Sequence, residues 1–328
     1  MKYSDLGKTG LSLSVIAFGC GPTGGGVLAG TPLEQELLVG HAIDAGINIF
    51  DTAAIYGQGK SEENLGRALN QLKASPIIAS KVALELPDLN NIKQSVISSV
   101  EASLKRLQTD SIDLIQLHNR IGLERSEKGN IGVGAQLTAE DVLGPNGVIE
   151  AFTVLREQGK IKFTGFTGFG GIASEVFQLI DSNKFDTINV LFNLLNRSAI
   201  TTPPAPHSAD DTENNDFHGV GSRAFNNGMG VLAIRVLAAG NLINFTETKG
   251  NELTKFKKLK LRERVKRMGT DIDTDLAILS TRFALSCPEI TSLVIGFSNA
   301  AQIETAMQSI DDGKLEEQEY NHILISDI

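Results

Sequence analysis

Eight short apolar runs rich in β-formers recur along this chain, each followed by a stretch with helical spacing. That alternation restricts the fold more than any other feature. The runs are 14-SVIAFG-19, 47-INIF-50, 77-IIAS-80, 112-IDLIQL-117, 161-IKFTGF-166, 187-TINVLF-192, 230-GVLAIRVL-237 and 291-TSLVIGF-297. Helical patterns follow at 32–45, 61–72, 92–107, 147–158, 172–183, 223–227, 273–285 and 299–309. Strands that alternate with helices read as βα units and a parallel sheet. Eight units suit a closed (β/α)8 TIM barrel of about 250 residues plus insertions. The 328 residues are therefore expected to form a single domain, 1–328.

Local signals sharpen this outline. Turn residues Gly7 and Gly10 between short alternating runs predict an N-terminal β-hairpin. Thr31, Pro32 and Glu34 predict a capped helix start, and Ser61 is the expected cap of the second helix. Insertions at 119–145, 197–219 and 241–270 each follow a strand, which places long loops on the C-terminal face. The last holds a charged helical stretch at 252–269, and the second holds a polar, Pro-rich tract at 201–216.

Charge and composition exclude several partners. A net charge of −9 argues against nucleic acid and anionic membranes, because phosphate binding needs a basic surface. No apolar run approaches the 18 residues or so of a membrane span, and the first residues lack the apolar core of a signal peptide. Cys20 and Cys287 make no disulfide framework. His41, His207, His218 and His322 show no metal-ligand spacing. A soluble cytoplasmic protein without a metal is expected, and nothing in the sequence fixes an oligomeric state.

Four residues carry the chemistry. Asp51, Tyr56, Lys81 and His118 lie just past the ends of separate apolar runs. The C-terminal ends of barrel strands converge on one rim, where barrel enzymes keep their active sites. A carbonyl that accepts a hydride must be protonated on oxygen. Tyr56 is the candidate acid, and its ordinary pKa of about 10 is expected to be lowered by the Lys81 ammonium. Asp51 would hold Lys81 charged, and His118 would donate a hydrogen bond to the carbonyl oxygen.

The motifs around these residues resemble the aldo-keto reductases. They are GKTGLSLSVIAFG, 48-NIFDTAAIYGQGKSEENLGRAL-69, 111-SIDLIQLH-118, 157-EQGKIKFTGFTG-168 and 192-FNLLNR-197. The resemblance runs from about residue 1 to 310, and AIRVLAAGNL is similar to the sugar (aldose) dehydrogenase branch. It implies a (β/α)8 barrel, an NADP or NAD cofactor bound without a Rossmann domain, and a small carbonyl or sugar substrate. The family's catalytic tetrad maps onto Asp51, Tyr56, Lys81 and His118.

The same resemblance marks a cofactor groove. Gly19, Cys20 and Gly21 follow the first barrel strand, where the family's backbone approaches the nicotinamide. Thr167 and Gly168 replace the usual Ser-Asn pair, Asn189 replaces a Gln, and Ile234 replaces an aromatic. Arg235 is expected at the pyrophosphate. Gly296, Ser298, Asn299 and Gln302 are expected along the adenosine, with no Lys or Arg between residues 286 and 312 to hold a 2′-phosphate. The run 21-GPTGGG-26 lacks the spacing of a phosphate-binding fingerprint. A cofactor-bound regulatory subunit without turnover is the alternative on this fold, and a metal-dependent barrel hydrolase lacks the ligands it needs.

Overall fold

The computed structural model describes residues 1–127, 133–201, 216–240, 242 and 275–325. The chain opens with β1 (Tyr3–Asp5) and β2 (Ser12–Ser14), paired antiparallel as the expected hairpin. The barrel strands follow: β3 (Ile16–Gly19), β4 (Ile49–Asp51), β5 (Ile77–Val82) and β6 (Ile112–Leu117). A short side pair, β7 (Asn119–Ile121) and β8 (Val133–Leu137), interrupts them. The barrel resumes with β9 (Ile161–Thr167), β10 (Thr187–Leu191), β11 (Gly230–Ile234) and β12 (Ser292–Gly296). Every barrel pairing is parallel, and β12 closes the ring on β3. All eight expected runs occupy this ring.

Strand periodicity sorts the barrel interior into layers, because residues two apart point to the same side. Ala17, Ile49, Ala79, Leu114 and Leu232 form a buried apolar plug with Leu6 and Leu13 of the hairpin region. The hairpin thereby seals the N-terminal end. Gly7, at a φ of +52°, makes the approach possible: a Cβ there would lie 2.4 Å from the Gly230 nitrogen. Two residues further along β4, β5 and β6 the same inward rows present Asp51, Lys81 and Gln116, all buried. The plug is the floor on which the polar layer stands.

Helices cover the outside. The first, α1 (Pro32–Asp44), begins with the expected capping box, Thr31 accepting from the Glu34 nitrogen and Glu34 accepting from that of Thr31. In α2 (Lys60–Leu72) the expected cap is displaced. Gly59, at φ +92°, takes the N-cap position, and the buried Ser61 hydroxyl instead donates to the Cys20 carbonyl at 2.9 Å. The cause is the tight turn after Tyr56, where Gly57, Gln58 and Gly59 all have positive φ. Against α2 packs α3 (Ile92–Leu107), and this contact needs Gly66, whose Cβ would come within 2.4 Å of the Leu107 carbonyl oxygen.

The described parts of the insertion at 119–145 form regular structure, β7, β8 and a short helix. Buried Asn119 accepts from the Leu84 nitrogen and donates to the carbonyls of Leu84 and Ala135, so one amide stands in for missing ladder bonds. It continues into α4 (Ala139–Leu143), where Arg125 pairs with Asp141. The ring then carries α5 (Val148–Glu157), α6 (Ala173–Asp181), α7 (Val220–Asn226), α8 (Leu276–Ser286) and α9 (Ala300–Asp311). An unforeseen α10 (Glu317–Ile325) packs Tyr320 on Phe283, with ring centroids 5.3 Å apart. The charged stretch 252–269, most of the 201–216 tract and His207 lie outside the described residues.

The α2–α3 contact supplies a test. Gly66→Ala is expected to destabilise the fold by about 1–3 kcal/mol, the usual cost of overpacking against fixed backbone. Equilibrium urea unfolding measures it, and an unchanged midpoint would show that the two helices separate without cost.

Candidate active site

Lys81 is the hub of the polar layer. Its ammonium is 3% exposed and forms an ion pair with Asp51 on the neighbouring strand. It also donates to the Thr52 carbonyl at 2.8 Å and lies 3.5 Å from the Tyr56 hydroxyl. The Thr52 nitrogen donates to the Ala79 carbonyl at 2.8 Å, which carries the β4–β5 register one residue beyond the strand and fixes the Thr52 peptide whose own carbonyl accepts from Lys81. His118 follows β6 and is tied to the Val82 carbonyl through its own backbone N–H at 2.8 Å. Its ring stands edge-on to Tyr56, with centroids 5.7 Å apart. The four expected residues thus meet at one rim.

Two buried connections escaped sequence reasoning. The Gln116 amide donates to the second oxygen of Asp51 at 3.3 Å, so both carboxylate oxygens have partners. A glutamine two residues after Leu114, in the otherwise apolar inward row of β6, was the available signal. Outside the barrel, fully buried Glu62 accepts from Ser80 at 2.5 Å and from Arg106 at 2.6 Å. That pair of bonds ties α2 and α3 to the strand that carries Lys81.

Electrostatics set the protonation states. Burial raises the Tyr56 pKa, and the opposing pull of Lys81 is smaller, so Tyr56 remains a phenol. The expectation of a lowered value is corrected here, because desolvation of a phenolate outweighs one neighbouring ammonium. Burial pulls Lys81 down, but Asp51 and Tyr56 together hold it above its ordinary range. Burial, then Lys81, pushes His118 down to about 3. His118 is a neutral imidazole with a single N–H to donate.

A cleft opens above these groups, enclosing about 1330 Å³ with the solvent at its mouth included. Of the expected cofactor residues, Gly19, Gly21, Thr167, Asn189, Arg235 and Gly296 line it, as does Ile234. Gln302 lines a smaller adjoining chamber, which shares Leu237, Ile295 and Gly296 with the cleft. Cys20, Gly168, Ser298 and Asn299 line neither. Cys20 is buried behind the cleft, and burial pushes its thiol pKa up. Gly168 leaves room for Ile188, whose side chain would sit 2.7 Å from a Cβ. Ser298 donates to the Gly24 carbonyl at 2.6 Å, and Asn299 caps α9. Val133 from the insertion and Phe169 add unforeseen apolar walls.

A model of the Aldo/keto reductase family matches residues 15–327. The chain belongs to that family. The reductase is 26% identical over 316 residues to an L-galactose dehydrogenase of Arabidopsis thaliana, covering 94% of this chain and 87% of that one. It is 37% identical over 125 residues to the aldo-keto reductase YhdN of Bacillus subtilis, spanning 36% of this chain and only 38% of that protein's length. A stretch of 124 residues, 36% of this chain and 37% of the relative, is 32% identical to a probable voltage-gated potassium channel subunit beta of Arabidopsis thaliana. Among solved structures, the holo form of aldo-keto reductase AKR11C1 from Bacillus halodurans superposes with a TM-score of 0.73 at 23% identity, covering 98% and 95% of the chains. The reductase is an NAD(P)H-dependent oxidoreductase acting on small carbonyl substrates. Among the described residues no helix is long and apolar enough to cross a membrane, and no cluster could hold a metal ion.

The residues of the reductase fit a nicotinamide. The Thr167 hydroxyl and both polar atoms of the Asn189 amide are buried without a hydrogen-bond partner among the described residues. Each such group costs about 1–3 kcal/mol unpaired. A carboxamide carries the complementary donor and acceptor. Arg235, in the left-handed region at φ +54°, lays its guanidinium over the Phe169 ring at 5.2 Å.

The His118 shift has a measurable sign. Between about pH 6.5 and 3 the unfolded chain binds a proton that folded His118 refuses. Stability from this group is therefore lost as pH falls through that window. His118→Gln is expected to flatten the acid-side decline of the urea midpoint. Parallel pH profiles for parent and variant would place the His118 pKa near its ordinary value.

Proposed function

We propose that this reductase interconverts a small aldehyde, ketone or aldose with the corresponding alcohol or lactone, with Tyr56 as general acid and base. The observation that carries this reading is the Tyr56 hydroxyl beside an ammonium that Asp51 holds in place, edge-on to a neutral His118. A bound nicotinamide dinucleotide supplies or accepts the hydride. Thr167 and Asn189 would orient its carboxamide, Gly19 and Gly21 would leave room for the ring, and Arg235 would reach the pyrophosphate, since a guanidinium pairs well with phosphate.

The roles of the side chains follow from their states. Tyr56 is a phenol and has a proton to give to the carbonyl oxygen as charge develops there. Lys81 offsets the phenolate left behind, which the buried site would otherwise disfavour. Asp51, clamped by Gln116, keeps Lys81 charged and aimed. His118 donates its one N–H to the same carbonyl oxygen, so the substrate is held between phenol and imidazole. In the alcohol-to-carbonyl direction Tyr56 would first give up its own proton to solvent, a step that Lys81 favours and burial opposes, and the phenolate would then take the alcohol's proton. Likeness to an L-galactose dehydrogenase along 94% of the chain supports an aldose oxidised at carbon 1.

The potassium channel subunit likeness, over about a third of the chain, favours a second reading as a cofactor-bound regulatory subunit. A pure binding module needs neither Tyr56 nor Lys81, which speaks for turnover.

Tyr56→Phe is expected to keep the dinucleotide Kd and to lose on the order of 10²–10⁴ in kcat, followed at 340 nm with a panel of aldehydes and aldoses. A variant with near-parental kcat sinks the assignment of Tyr56, and no turnover by the parent on any panel member favours the regulatory reading. Lys81→Met is expected to move the pH–rate profile as well as its height. A profile superimposable on the parent's would remove Lys81 from the relay.

A further inference from the structure

The chamber beside the cleft, of about 560 Å³, has an unusual charge for the adenosine end of a cofactor groove. It is walled by Leu237, Phe297 and Ala306, which suit the faces of a purine. Its polar lining is Asp275, Thr281, Gln302 and Thr305, and among the described residues neither lysine nor arginine lines it. The two threonine hydroxyls donate back to their own helices, to the Ala277 carbonyl at 2.8 Å and the Ala301 carbonyl at 3.0 Å. The Gln302 side-chain oxygen accepts from the Ser298 nitrogen at 2.8 Å. Asp275 is thus the one formally charged group among the described lining residues.

Its placement removes an anion site as well as adding a negative charge. The N-terminus of α8 faces this chamber, and a free helix N-terminus attracts phosphate. Here the carboxylate of Asp275 already occupies that position, accepting from the Ala277 and Ile278 nitrogens at 2.8 and 3.3 Å. Ser298, on the loop after β12, is committed to the Gly24 carbonyl, so its hydroxyl proton is not offered to a phosphate. A ribose diol can donate two O–H groups to a carboxylate. A 2′-phosphate offers acceptors and a charge of like sign, which a carboxylate repels.

We propose that Asp275 selects the dinucleotide with a free 2′-hydroxyl, so that this reductase takes NAD(H) in preference to NADP(H). The inference rests on the cleft being the dinucleotide site, as argued above. The chain has no tryptophan, so binding is read by calorimetry on the full-length protein with NADH and NADPH, and no turnover is required. NADH is expected to bind at least about tenfold more tightly, roughly 1.4 kcal/mol. Asp275→Asn and Asp275→Ser both retain a good helix cap. They are expected to tighten NADPH and weaken NADH, narrowing the ratio severalfold, and higher salt should narrow it in the parent but not in the variants. Equal or tighter binding of NADPH by the parent, or a ratio that neither variant moves, overturns the proposal. If neither dinucleotide gives heat with the parent, the assignment of the cleft fails and this inference fails with it, whereas binding of both without discrimination defeats the inference alone.

Discussion

A buried ammonium is the constraint on which the site depends. Lys81 is almost wholly removed from water, and an unpaired charge in such a place would be neutralised or would drive local unfolding. It is tolerated because its partners come from three places: the Asp51 carboxylate at the end of β4, the Thr52 carbonyl just beyond it, and the Tyr56 hydroxyl. Those partners converge only if the β4–β5 register is correct and the chain after β4 turns sharply. The register sets Asp51 opposite Ala79, and the turn uses three successive residues at positive φ, Gly57, Gln58 and Gly59. The same bonds that make burial of Lys81 tolerable bring the phenol to it.

The layering of the barrel explains why this arrangement is rigid. Below the polar row, Ile49, Ala79 and Leu114 belong to a fully buried plug that the N-terminal hairpin closes. Within the row, Gln116, the register partner of Lys81 on β6, occupies the remaining oxygen of Asp51. The carboxylate is therefore held from both sides of the ring. On the outer face, Glu62 joins Ser80 to Arg106, so the strand carrying Lys81 is anchored from its other side.

Close backbone contact shapes the cofactor side. A Cβ at Gly24 would lie 2.6 Å from the Gly296 backbone, and one at Gly26 would lie 2.4 Å from the Phe297 carbonyl oxygen. The glycine run after the first barrel strand thus lies directly against the end of β12, and its lack of a phosphate-binding pattern is accounted for by packing.

The sequence by itself determined the barrel, the hairpin and the four rim residues. Strand alternation has a period of two, helical spacing has one near 3.6, and a residue's place at a strand end is readable without knowing its neighbours. The start of α2 was misplaced because Ser61 has the chemistry of a cap, while the turn that makes Gly59 the cap is set by where Tyr56 must stand. The ordered pair β7 and β8 was missed because it hangs on one buried amide, Asn119, bonded to residues 35 and 16 positions away. Only the tertiary structure decided that Gln116 meets Asp51 and that Glu62 meets Arg106, contacts 65 and 44 residues apart in the chain. It also decided that Tyr56 stays a phenol, since the balance between burial and a neighbouring charge depends on distances across the ring that no local pattern encodes.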